Sequence, residues 1–485
     1  MNNAPEDIVI AIDGKITLTK ALSKSGMKNV KLIGWNDEAV IDQDKYNMHF
    51  AGANVIFEGL TLTHGEKAYG NGGQTSTAFA VWDAEKVSYI DCTFNRSVGT
   101  LHASVHNFID CTFNGVENPD NSKSEYPLYI CDGEEYNVID CTFNCTNRGA
   151  ILFYNASGSG VDTLNISNTR FYGDIIADKT AVEIHNNSVT QVYNVNIKDV
   201  VVGTGVTNGL YRIKPDNVGE VNVKVDGVTK AVPATDKKSL ENAIKSVDDG
   251  DTVYLVNDIT LPSNFGIARP IMIDLNRNTI TGDDPWHIML LKKGASIRNG
   301  NITVNTNVAA IKADDVGTIE DIVFSVTPKR VDAVVTAIAV QEGHNVDLIK
   351  DVTIKGFTQG IEIIGGGSRI ERIENVKIVE DANGDKPGVA LQVVNGTVGE
   401  IVNSTFRGED YGIQIIASGG YDVSVKLTKS FIEGGKAPAY MHDNGRANNK
   451  SVTFIYDEDS IVRGEIKQGF SEGFNGEVTI TKKEN

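Results

Sequence analysis

Three acids crowd one short segment, CDGEEYN: Asp132, Glu134 and Glu135. Carboxylate oxygens on one turn suit a hard divalent cation such as calcium, so these three are the candidate metal ligands. The competing reading is a solvated acidic loop, of which a chain of net charge -19 must have many. Asp91, Asp110 and Asp140 recur in a shared heptapeptide. If stacked they would repel one another unless a cation or nearby backbone N–H groups offset the charge. The eight histidines are scattered, and His102 and His106, four apart, lie in the strand-rich segment LHASVHNF, where that spacing does not mean one face. No Ser-His-Asp or Cys-His signature is present. The five cysteines (Cys92, Cys111, Cys131, Cys141 and Cys145) are odd in number and lack CxxC or His-linked spacing, which argues against zinc. None of these patterns requires a cofactor; calcium is the one they admit.

The elements that must position these residues announce themselves by repetition. YIDCTFN (89–95), FIDCTFN (108–114) and VIDCTFN (138–144) share the core Cys-Thr-Phe. A looser form runs on: FEGLTL (57–62), ISNTRF (166–171), IKDVVV (197–202), IEDIVF (319–324), IKDVTI (349–354), IENVKI (373–378), IVNSTF (401–406) and LTKSFI (427–432). The spacing is irregular, as in a solenoid whose turns vary in length while its strands stay stacked. Residues two apart on a strand share a side, so Cys141 and Phe143 point one way and Thr142 the other. The Asp/Asn/Gly position breaks the alternation, and those residue types tolerate left-handed backbone angles, so a sharp bend is expected there. Successive coils would then stack Asp91, Asp110 and Asp140 at one bend and Cys92, Cys111 and Cys141 in one internal, undisulfided column.

With these motifs the chain resembles the pectin-lyase-like superfamily of right-handed parallel β-helices, in particular its non-catalytic-looking surface and phage-type members. The expected fold is all-β: two tandem β-helix domains, 1–228 and 237–485, joined by a Pro-containing linker over 229–236. In SLENAIKSVDDGDTVYLVNDITLP (239–262), Leu240, Ala243, Ile244 and Val247 fall at helical spacing, so a short capping helix is expected before the second coil. The first domain starts at IVIAIDG with no clear capping helix. The superfamily's hydrolases use an Arg-Ile-Lys element, and Arg212-Ile213-Lys214 matches it; by that resemblance Arg212 and Lys214 would hold a substrate carboxylate, a task suited to an Arg fork. Its companions are missing. No Asn-Thr-Asp precedes it, no Gly-His-Gly occurs, and Gly343-His344 and Asp314-Asp315 belong to the other domain, in the wrong order. The lyase pattern, acids near an Arg, has its best match in the 132–135 acids with Arg148 or Arg170.

Composition narrows the partners. The acidic balance disfavours nucleic acid and anionic lipid. No apolar stretch approaches the roughly 18 residues of a membrane span, so direct insertion is not expected. The start, MNNAPEDIVIAIDG, has no basic region followed by an apolar core, so either an export signal has been removed or none is needed. Long polar insertions at 63–78, 115–127 and 380–388 offer a recognition surface, and Tyr69, Trp82, Tyr126 and Tyr154 beside them could stack on sugar rings or pack as core. The expectation is a non-enzymatic, extracellular or cell-surface β-helix, an adhesin or glycan-binding module meeting a glycan or host-surface receptor. The alternatives are a virion fibre, spike or decoration protein, and a diverged polysaccharide lyase or galacturonan-type hydrolase acting on acidic polysaccharide. Nothing in the sequence sets the oligomeric state.

Overall fold

In the computed structural model the described residues are all but 1–6, 66–78, 102, 116–125, 132, 145–148, 156–159, 173–179, 205, 207–208, 263, 283–286, 305–308, 327–334, 381–383, 385, 446–449 and 484–485. The chain winds as a right-handed parallel β-solenoid, with one short helix among the described residues. It divides into two compact units, Met1–Ala231 and Val232–Asn485.

Coils of the first unit carry three strands, the first two merging into Gln191–Gly203 near its end. One coil runs Lys86–Ile90, Thr93–Phe94 and Val98–Thr100; the next runs Val105–Ile109, Thr112–Phe113 and Leu128–Ile130. Pairing is parallel and rung on rung. Lys86 opposes Val105, Thr112 stands between Thr93 and Thr142, and Val98 opposes Leu128. The third strands of successive coils form an eight-stranded sheet from Leu22–Ser25 to Tyr211–Ile213. Inward residues fill the interior. Phe94, Phe113, Phe143 and Phe171 stack with centroids 4.9, 4.3 and 5.2 Å apart, and Phe57, Tyr89 and Phe108 make a second stack at 5.2 and 5.0 Å.

The bend expected at the Asp/Asn/Gly position is present. Asp91, Asp110, Asp140, Asn168 and Asp199 all have φ between 49 and 56°, and Gly59 has 63°. The N–H of Asp91 donates to Ile109 O and that of Asp110 to Ile139 O, so the bends themselves continue the ladder. Cys92, Cys111 and Cys141 are buried free thiols one above another. Thr142 points outward as expected but is nonetheless buried, with Arg170 Nη1 of the next coil 3.4 Å from its hydroxyl.

The second unit repeats the plan, with a nine-stranded third sheet from Phe265–Ile267 to Lys467–Gly469. Its bends at Asp321, Asp351, Asn375, Asn403 and Lys429 again have positive φ. The helix is Lys237–Ser246, started by a capping box between Asp236 and Ser239 and buried through Leu240 and Ala243. The stretch 229–236, expected as a linker, is strand as far as Ala234, within Glu220–Ala234. Val228 to Ala231 pair with Val200 to Gly203, and Pro233 lies past the last of these pairs.

Candidate functional site

The outward side of the third sheet of the first unit carries the most unusual surface among the described residues. Alternation sends Val81, Val98, Ile130, Phe153 and Ile184 inward. The residues between them point out in two columns. One column is Ala80, Gly99, Tyr129, Leu152, Glu183 and Arg212, each in register with the next. The other begins with His49 and Trp82 and ends with Tyr154, His185 and Lys214. An outward β face is ordinarily solvated. Here Ala80, Leu101, Tyr126, Tyr129, Cys131 and Leu152 form a buried apolar cluster separate from the core, with Trp82 and Tyr154 packed at its margins.

Both margins are aromatic and polar. At one, Trp82 stacks on His49 at 5.7 Å, and His49 Nδ1 lies 3.1 Å from Asp83. Gln43 closes the same strand edge, its amide N–H donating to Ala80 O and its oxygen accepting from Ala80 N. At the other, Tyr154 sits 6.2 Å from Tyr129 and 5.1 Å from His185, and its hydroxyl accepts from Asn187.

Arg212 and Lys214, the Arg-Ile-Lys pair, lie beside this margin. Both face Glu183, whose side chain is 5 % exposed: Arg212 Nη2 donates to one carboxylate oxygen and Lys214 Nζ is 3.6 Å from the other. The Tyr126 hydroxyl donates to Glu183 at 2.8 Å. Burial alone would push this carboxyl up. The Arg212 and Tyr126 hydrogen bonds and the two cations outweigh burial and hold it below the usual glutamate range. The arrangement locks an ion cluster against the apolar patch.

Trp82, Tyr126 and Tyr154 therefore share one face with Arg212 and Lys214. Glu134 and Glu135 do not join them. Both are exposed where the first-face strand Glu135–Ile139 begins, and Glu135 accepts from Asn137 of its own strand. Tyr69 and Asp132 lie outside the described residues, as do Cys145 and Arg148. Among the described residues no three His, Cys, Asp or Glu are placed to share a metal ion. Sequence reasoning missed Glu183, Tyr129 and His185. The one available signal was an acid inside the apolar run AVEI (181–184); its meeting with Arg212 depends on a register set 29 residues away.

No protein-family model and no curated protein sequence matches the chain. Among solved structures, a PL6 family alginate lyase aligns over 99 % of this chain and 97 % of its own, at 11 % identity and a TM-score of 0.26. So low a score bears on neither activity nor substrate.

Proposed function

We propose that the chain is a non-enzymatic glycan-binding β-solenoid that holds saccharide rings against the aromatic margins of the first unit's third sheet. The observation that carries this reading is the second apolar cluster on what should be a solvated face. It is rimmed by Trp82 and Tyr154, whose rings combine an apolar body with a polar edge. Display on a bacterial surface as an adhesin fits this use, and a virion fibre or decoration protein would use the same face. The lyase or hydrolase alternative asks Arg212 to meet substrate, whereas its guanidinium is engaged with Glu183.

The test is a glycan array followed by affinity electrophoresis. Trp82→Ala and Tyr154→Ala should each weaken retention by about tenfold, the loss expected of one removed aromatic anchor. Incubation with alginate and polygalacturonate, with and without calcium, should release no products. Turnover that disappears with Arg212→Ala would replace this reading with an enzymatic one.

A further inference from the structure

We propose that the outward face of the third sheet in the second unit is a binding track for a neutral, hydroxyl-rich polysaccharide laid along the solenoid axis, one coil per sugar ring or nearly so. The track is built on its own residues and shares only the ligand class with the preceding reading.

Two columns define it. Glu362, Gln392, Gln414 and Tyr440 stand in register on four successive strands. Beside them stand Ile364, Val394, Ile416 and His442, also in register. Adjacent strands are about 4.8 Å apart, so an extended chain meets one polar and one apolar or aromatic group at each step. A pyranose ring presents the matching pair, a hydroxyl edge and a C–H face.

The polar column is held in place before any ligand arrives. The side-chain amides of Gln359 and Gln392 lie 3.4 Å apart, those of Gln392 and Gln414 lie 2.7 Å apart, and Gln414 reaches His442 Nε2 at 3.1 Å. The ring of His442 sets the direction of this ladder. Asn444 N–H donates to His442 Nδ1, so the proton of the neutral imidazole is on Nε2 and points at Gln414. The Gln414 carbonyl oxygen must accept it, which turns its NH2 toward Gln392 and orders the amides beyond in the same sense; amide N and O can be interchanged by a flip. Gln392 and Gln414 each spend one N–H on a neighbour and keep the other, with an oxygen lone pair, for a ligand. Tyr440 is fixed between Tyr411 at 5.0 Å and His442 at 4.6 Å. Locked side chains lose little entropy on binding.

Charge selects the ligand. Elsewhere on this unit cations and acids pair from coil to coil, as Arg372 and Lys426 do with Glu400 at 2.6 and 2.7 Å and Arg463 with Glu433 at 3.0 Å. On these four strands the two columns hold one acid and one histidine. Glu362 has no ion partner among the described residues, and burial pushes its carboxyl up toward the neutral form. Burial pushes His442 down, keeping its ring neutral. A nearly uncharged strip on a chain of net charge -19 offers a polyanion no counter-charge.

The experiment uses the full chain in affinity electrophoresis against a soluble mannan, a mixed-linkage glucan and polygalacturonate. A Trp82→Ala/Tyr154→Ala double variant removes the first unit's aromatic margins. It should still be retarded by a neutral polymer, and adding Gln414→Ala with Tyr440→Ala should cut that retardation at least about tenfold. Glu362→Lys, which sets a charge on the track without opening a cavity, should do the same while circular dichroism stays unchanged. If the double variant loses all neutral binding while the parent keeps it, this proposal fails and the first reading stands. If polygalacturonate alone retards the double variant, or if the second-unit changes leave retardation untouched, the proposal also fails. If the parent is retarded by nothing, both readings fall.

Discussion

Cys92, Cys111 and Cys141 occupy the position after the bend, each Sγ 3.3 to 3.4 Å from the carbonyl two residues earlier. Thr169 in the same unit and Ser404 and Ser430 in the other fill the equivalent position and donate to the equivalent carbonyl at 2.8 to 2.9 Å. Elsewhere Leu60, Val200, Ile322, Val352 and Val376 fill it without a donor, so the position takes either a small side chain that bonds this carbonyl or an apolar one. Burial pushes the Cys92 and Cys111 thiols far up, so they stay protonated and inert. This column was legible because the heptapeptide repeats. His106 was not, since only the register with Val87 and Tyr136 shows that it points inward. It is 1 % exposed, its Nδ1 has no partner, and burial pushes its pKa down to about 3. His64 is likewise pushed by burial to about 4. For a histidine whose folded pKa is depressed, the unfolded chain binds more protons, so stability rises with pH. The contribution is complete above the ordinary value of about 6.5 and is lost as pH falls toward the folded value. Urea midpoints should therefore drop between about pH 7 and pH 5, with His106 accounting for up to about 2 kcal/mol. His106→Phe, which can stack on Tyr136 without titrating, should flatten much of that slope; an unchanged slope would show the ring to be hydrated or already paired.

At the scale of the element, the bend decides whether two short strands can follow one another. Asp, Asn and Gly dominate it because their left-handed conformation is cheap, whereas an ordinary residue there costs about 1–2 kcal/mol. Lys429, at φ 48°, is the exception. Lys429→Asn should raise the thermal midpoint, Asp110→Ala should lower it, and Asp110→Gly should cost less than the alanine; equal effects of alanine and glycine would remove backbone conformation as the cause. The bends and the two strands flanking each were legible, since one hexapeptide pattern encodes them. The third strand was not, because it follows turns of variable length and carries no shared motif. The candidate site sits on that third strand. Its aromatic residues could be nominated from sequence, but their arrangement in two columns could not, and neither could the joining of Arg212 to Glu183. The capping helix was readable from spacing, while strand over 229–234 was hidden by Pro233, which reads as a breaker until its place beyond the pairs with Val200 to Gly203 is known.

At the scale of the molecule, each coil packs on the coil before it and the coil after it, so within a unit stability is close to a sum of neighbour terms. Phe113→Ala, which empties one place in the Phe94–Phe113–Phe143–Phe171 stack, should cost about 3–5 kcal/mol. Hydrogen exchange should quicken most at Thr93–Phe94 and Thr142–Asn144, less in coils further along, and not in Val232–Asn485; uniform quickening throughout the chain would mean one indivisible cooperative block. The first two strands of the coils holding Asn95 and Asn114 are offset by 19 residues, down to Asn114 donating to Asn95, while the extra residues before Leu128 leave its pairing with Val98 intact. A copying error that doubled such a segment would lengthen its unit by one rung without moving a side chain already in place. Length in this architecture is thus free to drift over generations, and a ligand track laid along its flank would lengthen or shorten with it.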